Sequence, residues 1–175
     1  MTEVTITPLD PAPLHAVELW SNPAAVSARF ATATGVDLPM MGRSTHAGAM
    51  LLIRFEPTVW LVEGDIAGLA DMIGDDGALT AIGGGIVRVR LAGPGWRSLL
   101  MEGGVFDAET PDFAPGCSAA TIIDHVNVRL HVESEQACIA YVPASYSAGM
   151  VHFWTISAAT LPPGQSDFEA SGIAS

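Results

Sequence analysis

Two histidines, a cluster of aspartates, two serines, one loop cysteine and two glycine-rich turns are the groups in this 175-residue chain whose type and spacing could carry chemistry. His125 and His131 share one face of a predicted strand. Six residues at ~3.3 Å rise separate them by about 20 Å, too far to share a zinc ion with bonds of ~2 Å. They are expected to be polar positions on a sheet face that meets solvent or a partner. Asp71, Asp75 and Asp76 lack the alternating oxygen ligands and terminal Glu of a calcium loop and read as a solvated helix end. Ser145 and Ser147 lack the glycines of a nucleophile elbow, because Pro143 and Ser145 occupy positions such glycines would take. Ser145 reads as a helix N-cap. Cys117 has no basic neighbour in sequence to activate it and reads as inert. Gly83-Gly84-Gly85 precedes its strand, the reverse of a dinucleotide-binding turn. Gly93-Pro94-Gly95 lies between strand and helix, where an anion could sit, but without a third glycine or a Lys-Ser/Thr pair it reads as a turn. No catalytic, cofactor-binding or metal-binding residue is assigned.

The elements around these groups follow from hydrophobic period. Ile86 to Leu91 puts Val87, Val89 and Leu91 on one side and Arg88 and Arg90 on the other, as a half-buried strand requires. Pro94 is suited to the first position of a helix carrying Trp96, Leu99 and Leu100, which Gly103-Gly104 closes. After a loop with Pro111, Pro115 and Gly116, Val126, Val128, Leu130 and Val132 alternate with polar residues, and Ala137 to Val142 returns across Glu133-Ser134-Glu135-Gln136 as a hairpin. Pro143 ends that strand, and Tyr146, Met150, Phe153 and Trp154 recur at helical spacing. The second half therefore reads β-α-β-β-α.

In the first half, Asn22-Pro23 starts and Gly35 stops a helix carrying Val26, Phe30 and Ala33. Met50 to Phe55 and Val59 to Val62 flank Glu56-Pro57-Thr58 as a second hairpin, and Asp65 can cap a helix with Ile66, Leu69 and Ile73 on one face, ended by Gly74 or Gly77. The expected fold is α+β, two βαββα-type halves of mainly antiparallel sheet with helices packed on it. The boundaries are 1–82 for an N-terminal half, 83–156 for a C-terminal half, and 157–175 for a tail that is disordered or wraps a partner.

Leu91-Ala92-Gly93-Pro94-Gly95-Trp96-Arg97-Ser98-Leu99-Leu100 with Gly103, then Asp107, then Phe113-Ala114-Pro115-Gly116-Cys117, and finally Val142-Pro143-Ala144-Ser145-Tyr146 leading to Trp154 resemble, in order and spacing, the gamma subunit of heterotetrameric sarcosine oxidase. The arrangement is also similar to the folate-binding domains of glycine-cleavage aminomethyltransferases. The resemblance implies a non-catalytic structural subunit in an assembly that oxidises sarcosine or a related N-methyl amine with oxygen to glycine, hydrogen peroxide and a one-carbon unit taken by tetrahydrofolate. It places FAD, FMN, NAD and the tetrahydrofolate site in the alpha and beta subunits and zinc in the delta subunit, with the large alpha subunit as chief partner. The alternative is a free-standing folate-binding aminomethyltransferase or demethylase, for which Asp107 and Asp124 are the candidate carboxylates.

Composition agrees with a covered surface. Hydrophobic residues make up 49% and charged residues 15% of the chain, against ~25% charged in an average domain, and the mean hydropathy of +0.37 is high for a monomer in water. Trp96, Arg97, Phe113, Tyr146 and Trp154 are candidate interface residues, since Trp and Arg anchor many interfaces. A tryptophan at an element end is equally suited to be a lid on the core. The net charge is −12, and all seven basic residues are scattered arginines, so neither nucleic acid nor an anionic membrane is an expected partner. No apolar run reaches the ~20 residues of a spanning helix, and the N-terminal residues lack a secretory pattern. A cytoplasmic protein with Cys117 and Cys138 reduced is expected.

Overall fold

The computed structural model describes residues 3–161. They form two five-stranded antiparallel sheets packed face to face, with helices on the outer face of each. One sheet has the order β3 (Ser44–Ala47), β4 (Met50–Arg54), β5 (Val59–Gly64), β2 (Leu14–Leu19), β6 (Gly77–Ala81). The other has the order β1 (Thr5–Pro8), β7 (Ile86–Ala92), β10 (Ala137–Pro143), β9 (Val126–Ser134), β8 (Ser118–Ile123). Helices α1 (Pro23–Thr34) and α2 (Leu69–Ile73) cover the first sheet, and α3 (Trp96–Met101) and α4 (Ser147–Thr160) cover the second. The chain is thus an α+β protein of mainly antiparallel sheet, as the sequence pattern predicts. Among the described residues no helix is long and apolar enough to cross a membrane.

The period of two decides which core each side chain joins. Along β10, Cys138, Ala140 and Val142 face α3 and α4, while Ile139 and Tyr141 face the other sheet. That is why Ala137 to Val142 is apolar without alternation: both faces are covered. Along β5, Trp60 and Val62 meet α1 and α2, and Leu61 points inward with Leu14, Ile53 and Phe55 to meet Ile139 and Tyr141. Burying such a side chain fully contributes about 1.5–3 kcal/mol.

The two predicted hairpins form as β4–β5 and β9–β10, and α1 runs from Pro23 to the left-handed Gly35 as its start and stop signals require. Other boundaries move. Pro94 lies before the helix instead of at its first position, because Gly95 caps α3, which starts at Trp96. Gly103, at φ +64°, follows the helix in the left-handed conformation that glycine favours. Ser145 does not cap α4: it lies in a 3-10 turn over Ala144–Tyr146, the helix starts at Ser147, and the Ser147 hydroxyl donates to the Ala144 carbonyl at 2.9 Å. Asp65 closes a tight turn by accepting from the Ala67 N–H at 2.9 Å, so α2 begins later, after Gly68.

Five strands were not expected: β1, β2, β3, β6 and β8. The segment read as a loop before Val126 contains β8, which joins β9 through Asp124 and His125, both at positive φ. His125 therefore sits in the turn and not on the strand with His131. The tail assigned from 157 begins inside α4, which continues to Thr160, and residues 162–175 lie outside the described residues.

Candidate functional site

The seam between the sheets holds the polar groups that the apolar cores exclude. Two cavities open along it. One, of about 380 Å³, is lined by Ser44, His46, Glu63, Arg88, His131 and Tyr141 among others. The second, of about 490 Å³, lies between Glu56 and the face of β8, β9 and β10, with Arg129 in its wall.

In the smaller cavity Arg88 and Tyr141 converge on one carboxylate. Arg88, on the polar side of β7 as the strand's alternation requires, pairs with Glu63 of β5 and donates to the Asp10 carbonyl at 2.6 Å. The Tyr141 hydroxyl donates to the other Glu63 oxygen at 3.2 Å. Burial, reinforced by the Glu63 charge, pushes the Tyr141 hydroxyl well above its ordinary pKa, so it stays a donor. This triad links β5 to β7 and β10 and closes the sheet interface electrostatically.

Ser44 and His131 stand at the distance of a nucleophile and its base, 3.0 Å between Oγ and Nε2. Their hydrogen-bond inventory assigns a structural role. The Ser44 hydroxyl has one proton and lies 3.2 Å from the Gly116 carbonyl, so it donates there and accepts from Nε2–H. His131 Nδ1, buried and without a partner among the described residues, is then the bare nitrogen. In this tautomer the nitrogen that faces Ser44 carries the proton and has no lone pair to take the serine's. Burial, with His46 nearby, holds the imidazole down to about 4 against an ordinary 6.5, which keeps it neutral. His131 is 5% exposed; the expectation of a solvent- or partner-facing histidine fails because the second sheet covers that face of β9.

Elsewhere, Asp76 is an anchor and not merely a solvated end. It accepts from Arg29, Asn22 and Ser21, each at 2.8 Å, and these bonds lower its carboxyl to about 2. Cys117 has the basic neighbour that sequence distance concealed: Arg43 Nη1 lies 2.7 Å from its sulfur, which itself donates to the Asp112 carbonyl at 3.0 Å. The thiol is 4% exposed, so it remains shielded. Among the described residues no group of three or more His, Cys, Asp or Glu could hold a metal ion.

Of the interface candidates, Trp96, Phe113 and Trp154 are buried inside the chain, at 1%, 5% and 0% exposure. They serve as core lids, the other role open to a tryptophan at an element end. Arg97 stacks over Trp96 at 4.3 Å and donates to the Ala108 and Phe113 carbonyls, which fastens the loop after α3. Tyr146, 57% exposed, alone of the five projects outward. Asp107 accepts from the Glu109 N–H in a tight turn and Asp124 occupies the β8–β9 turn. Neither lines the two inter-sheet cavities.

A pair of face-packed antiparallel sheets with helices outside each defines an α+β architecture that is shared with solved structures. One chain of the heterotetrameric sarcosine oxidase from Corynebacterium sp. U-96, determined in complex with pyrrole 2-carboxylate, matches with a TM-score of 0.80 at 18% identity, over 94% of this chain and 88% of that chain. The glycine cleavage system aminomethyltransferase T from Bartonella henselae matches with a TM-score of 0.66 at 17% identity, over 86% of this chain but 45% of that chain. At these identities the shared property is the fold. No protein-family model and no curated protein matches the sequence.

Proposed function

We propose that this chain is a non-catalytic structural subunit of a multi-subunit sarcosine oxidase, equivalent in place to the gamma subunit, that packs against the large alpha subunit of a cytoplasmic assembly with beta and delta chains. The observation that carries the reading is the two-way match of length and fold: the chain accounts for nearly all of one oxidase chain, 94% against 88%. It corresponds to less than half of the aminomethyltransferase, 45%. In this reading FAD, FMN, NAD, tetrahydrofolate and zinc reside in the partner subunits.

The inter-sheet cavities are a poor fit for folate. Glu63 commits its two oxygens to Arg88 and Tyr141, and Glu133 engages Arg90 at 2.7 Å. Among the described residues no unengaged carboxylate lines either cavity to accept the ring N–H groups of a pterin, Glu56 of the larger one being paired with Arg129 at 2.7 Å. The chain's contribution to an oxidase is then mass-action stabilisation of the assembled state.

Affinity capture of the tagged chain from a native extract, followed by an oxidase assay with sarcosine, tests the proposal. Capture of a larger flavin-bearing chain together with sarcosine oxidation supports it. Turnover of an N-methyl amine by the isolated chain defeats it, and saturable tetrahydrofolate binding by the isolated chain favours the free-standing folate enzyme instead.

A further inference from the structure

Strand β8 is the outermost strand of its sheet, and its sequence Ser118-Ala119-Ala120-Thr121-Ile122-Ile123 carries no charge and no proline. These are the devices that ordinarily keep a sheet edge from recruiting another strand. Two loops pin its ends: the Gly42 carbonyl accepts from the Ser118 N–H at 2.8 Å, and the Gly103 carbonyl accepts from the Asp124 N–H at 2.9 Å. Because antiparallel pairing with β9 alternates inward and outward groups, the N–H groups of Ala120 and Ile122 and the Ala120 carbonyl point outward between those pins. They have no backbone partner among the described residues.

The surroundings indicate what would pair there. The pinning loops present Met40, Met41 and Val105 at 73%, 53% and 92% exposure, and Ile122 on the strand itself is 50% exposed. Between Arg97 and Arg129 the chain has no Lys or Arg and five carboxylates: Glu102, Asp107, Glu109, Asp112 and Asp124. All five are exposed and lie on the loops that flank the strand, while the two arginines beside it, Arg43 and Arg129, are turned to Cys117 and to Glu56.

We propose that the outer edge of β8 is a docking strand for an extended segment of a partner polypeptide whose residues alternate between apolar and basic. Backbone pairing at Ala120 and Ile122 supplies the attachment, the exposed apolar side chains receive the partner's apolar face, and the acidic loops select its Lys and Arg. The proposal rests on the subunit reading only in requiring a polypeptide partner; its test is independent of the oxidase, whereas affinity capture tests the subunit reading by itself.

The probe is a capped peptide of about twelve residues alternating lysine and valine, titrated into the isotope-labelled full chain and followed at individual backbone amides. Saturable binding that slows hydrogen exchange at Ala120 and Ile122 by about tenfold or more, with a glutamate–valine peptide binding about tenfold more weakly, is the expected result. Ala120→Pro removes an outward N–H while leaving the pairing with β9, a placement an edge strand tolerates, and should weaken the peptide by about tenfold with an unchanged circular dichroism spectrum. If that variant does not fold, the Glu102→Lys/Asp124→Lys double variant should weaken the basic peptide and strengthen the acidic one. Equal binding of the two peptides overturns the proposal, as does an absence of change at Ala120 and Ile122. So does strong protection of these amides in the free chain, which would show that a second copy or the chain's own residues 162–175 already pair with the strand.

Discussion

Trp96→Ala distinguishes a core lid from an interface anchor. Trp96 is 1% exposed, donates its indole N–H to the Glu135 carbonyl at 3.0 Å, and packs against Phe113 with ring centroids 6.3 Å apart. Truncating a buried tryptophan costs about 3–5 kcal/mol through lost transfer energy and the cavity left behind. The lost hydrogen bond adds little, because Glu135 is exposed in its turn and water can replace the donor. A loss of about 4 kcal/mol is a large part of the ~5–15 kcal/mol available to a domain and lowers Tm by roughly 8–16 °C in a chain of this size. Urea and thermal unfolding of the isolated chain, followed by far-ultraviolet circular dichroism, would measure it. A loss below about 1 kcal/mol would refute the reasoning, and if binding to a partner were abolished at the same time, Trp96 would be an anchor after all.

Three further outcomes follow from the geometry. His131 is held near 4 in the folded chain against 6.5 when free, so unfolded chains bind the proton more tightly; stability is full above 6.5, falls as pH drops through that value, and levels off below about 4. The decline should reach up to about 3 kcal/mol in denaturant titrations across that window, and His131→Gln should flatten it. Trp154 is fully buried and its indole N–H has no partner among the described residues, so Trp154→Phe relieves an unpaired donor that Trp96→Phe does not and should cost about 1 kcal/mol less in the same unfolding assay; the reverse order would contradict the assignment. At Gly93, φ is +112° and an added Cβ would lie 2.3 Å from the Glu3 carbonyl oxygen, so Gly93→Ala should cost about 2 kcal/mol or more and accelerate hydrogen exchange in β1; unchanged exchange there would contradict it.

The elements legible in the sequence are those whose pattern is complete within one segment. The β9–β10 hairpin shows its alternation and its turn, and α1 carries Pro23 and Gly35 at its limits. Strand β8 was hidden because Ser118, Ala119 and Ala120 are weak strand formers that read as loop, tolerated here by an edge position where little packing is asked of them. Strands β1, β2, β3 and β6 are four to six residues each and acquire their definition from neighbours distant in the chain. The same holds for the seam. Ser44 meets His131 across 87 positions, Glu63 meets Tyr141 across 78, and Arg43 meets Cys117 across 74. No local period encodes which face of one sheet will be laid on the other, so Arg88 was legible as polar on its strand but not as the partner of Glu63.

The pairing of Thr5–Pro8 with Val89–Ala92 imposes an order on biosynthesis. Strand β1 must wait for more than eighty further residues before its mate exists, roughly 4–17 s at ordinary elongation rates. During that interval the whole of the other sheet can mature. A brief strand ending in Pro8, with threonines around a lone isoleucine, is well suited to idle without seizing a stray neighbour. When β7 arrives, β1 is drawn back beside it and becomes an edge of the second sheet.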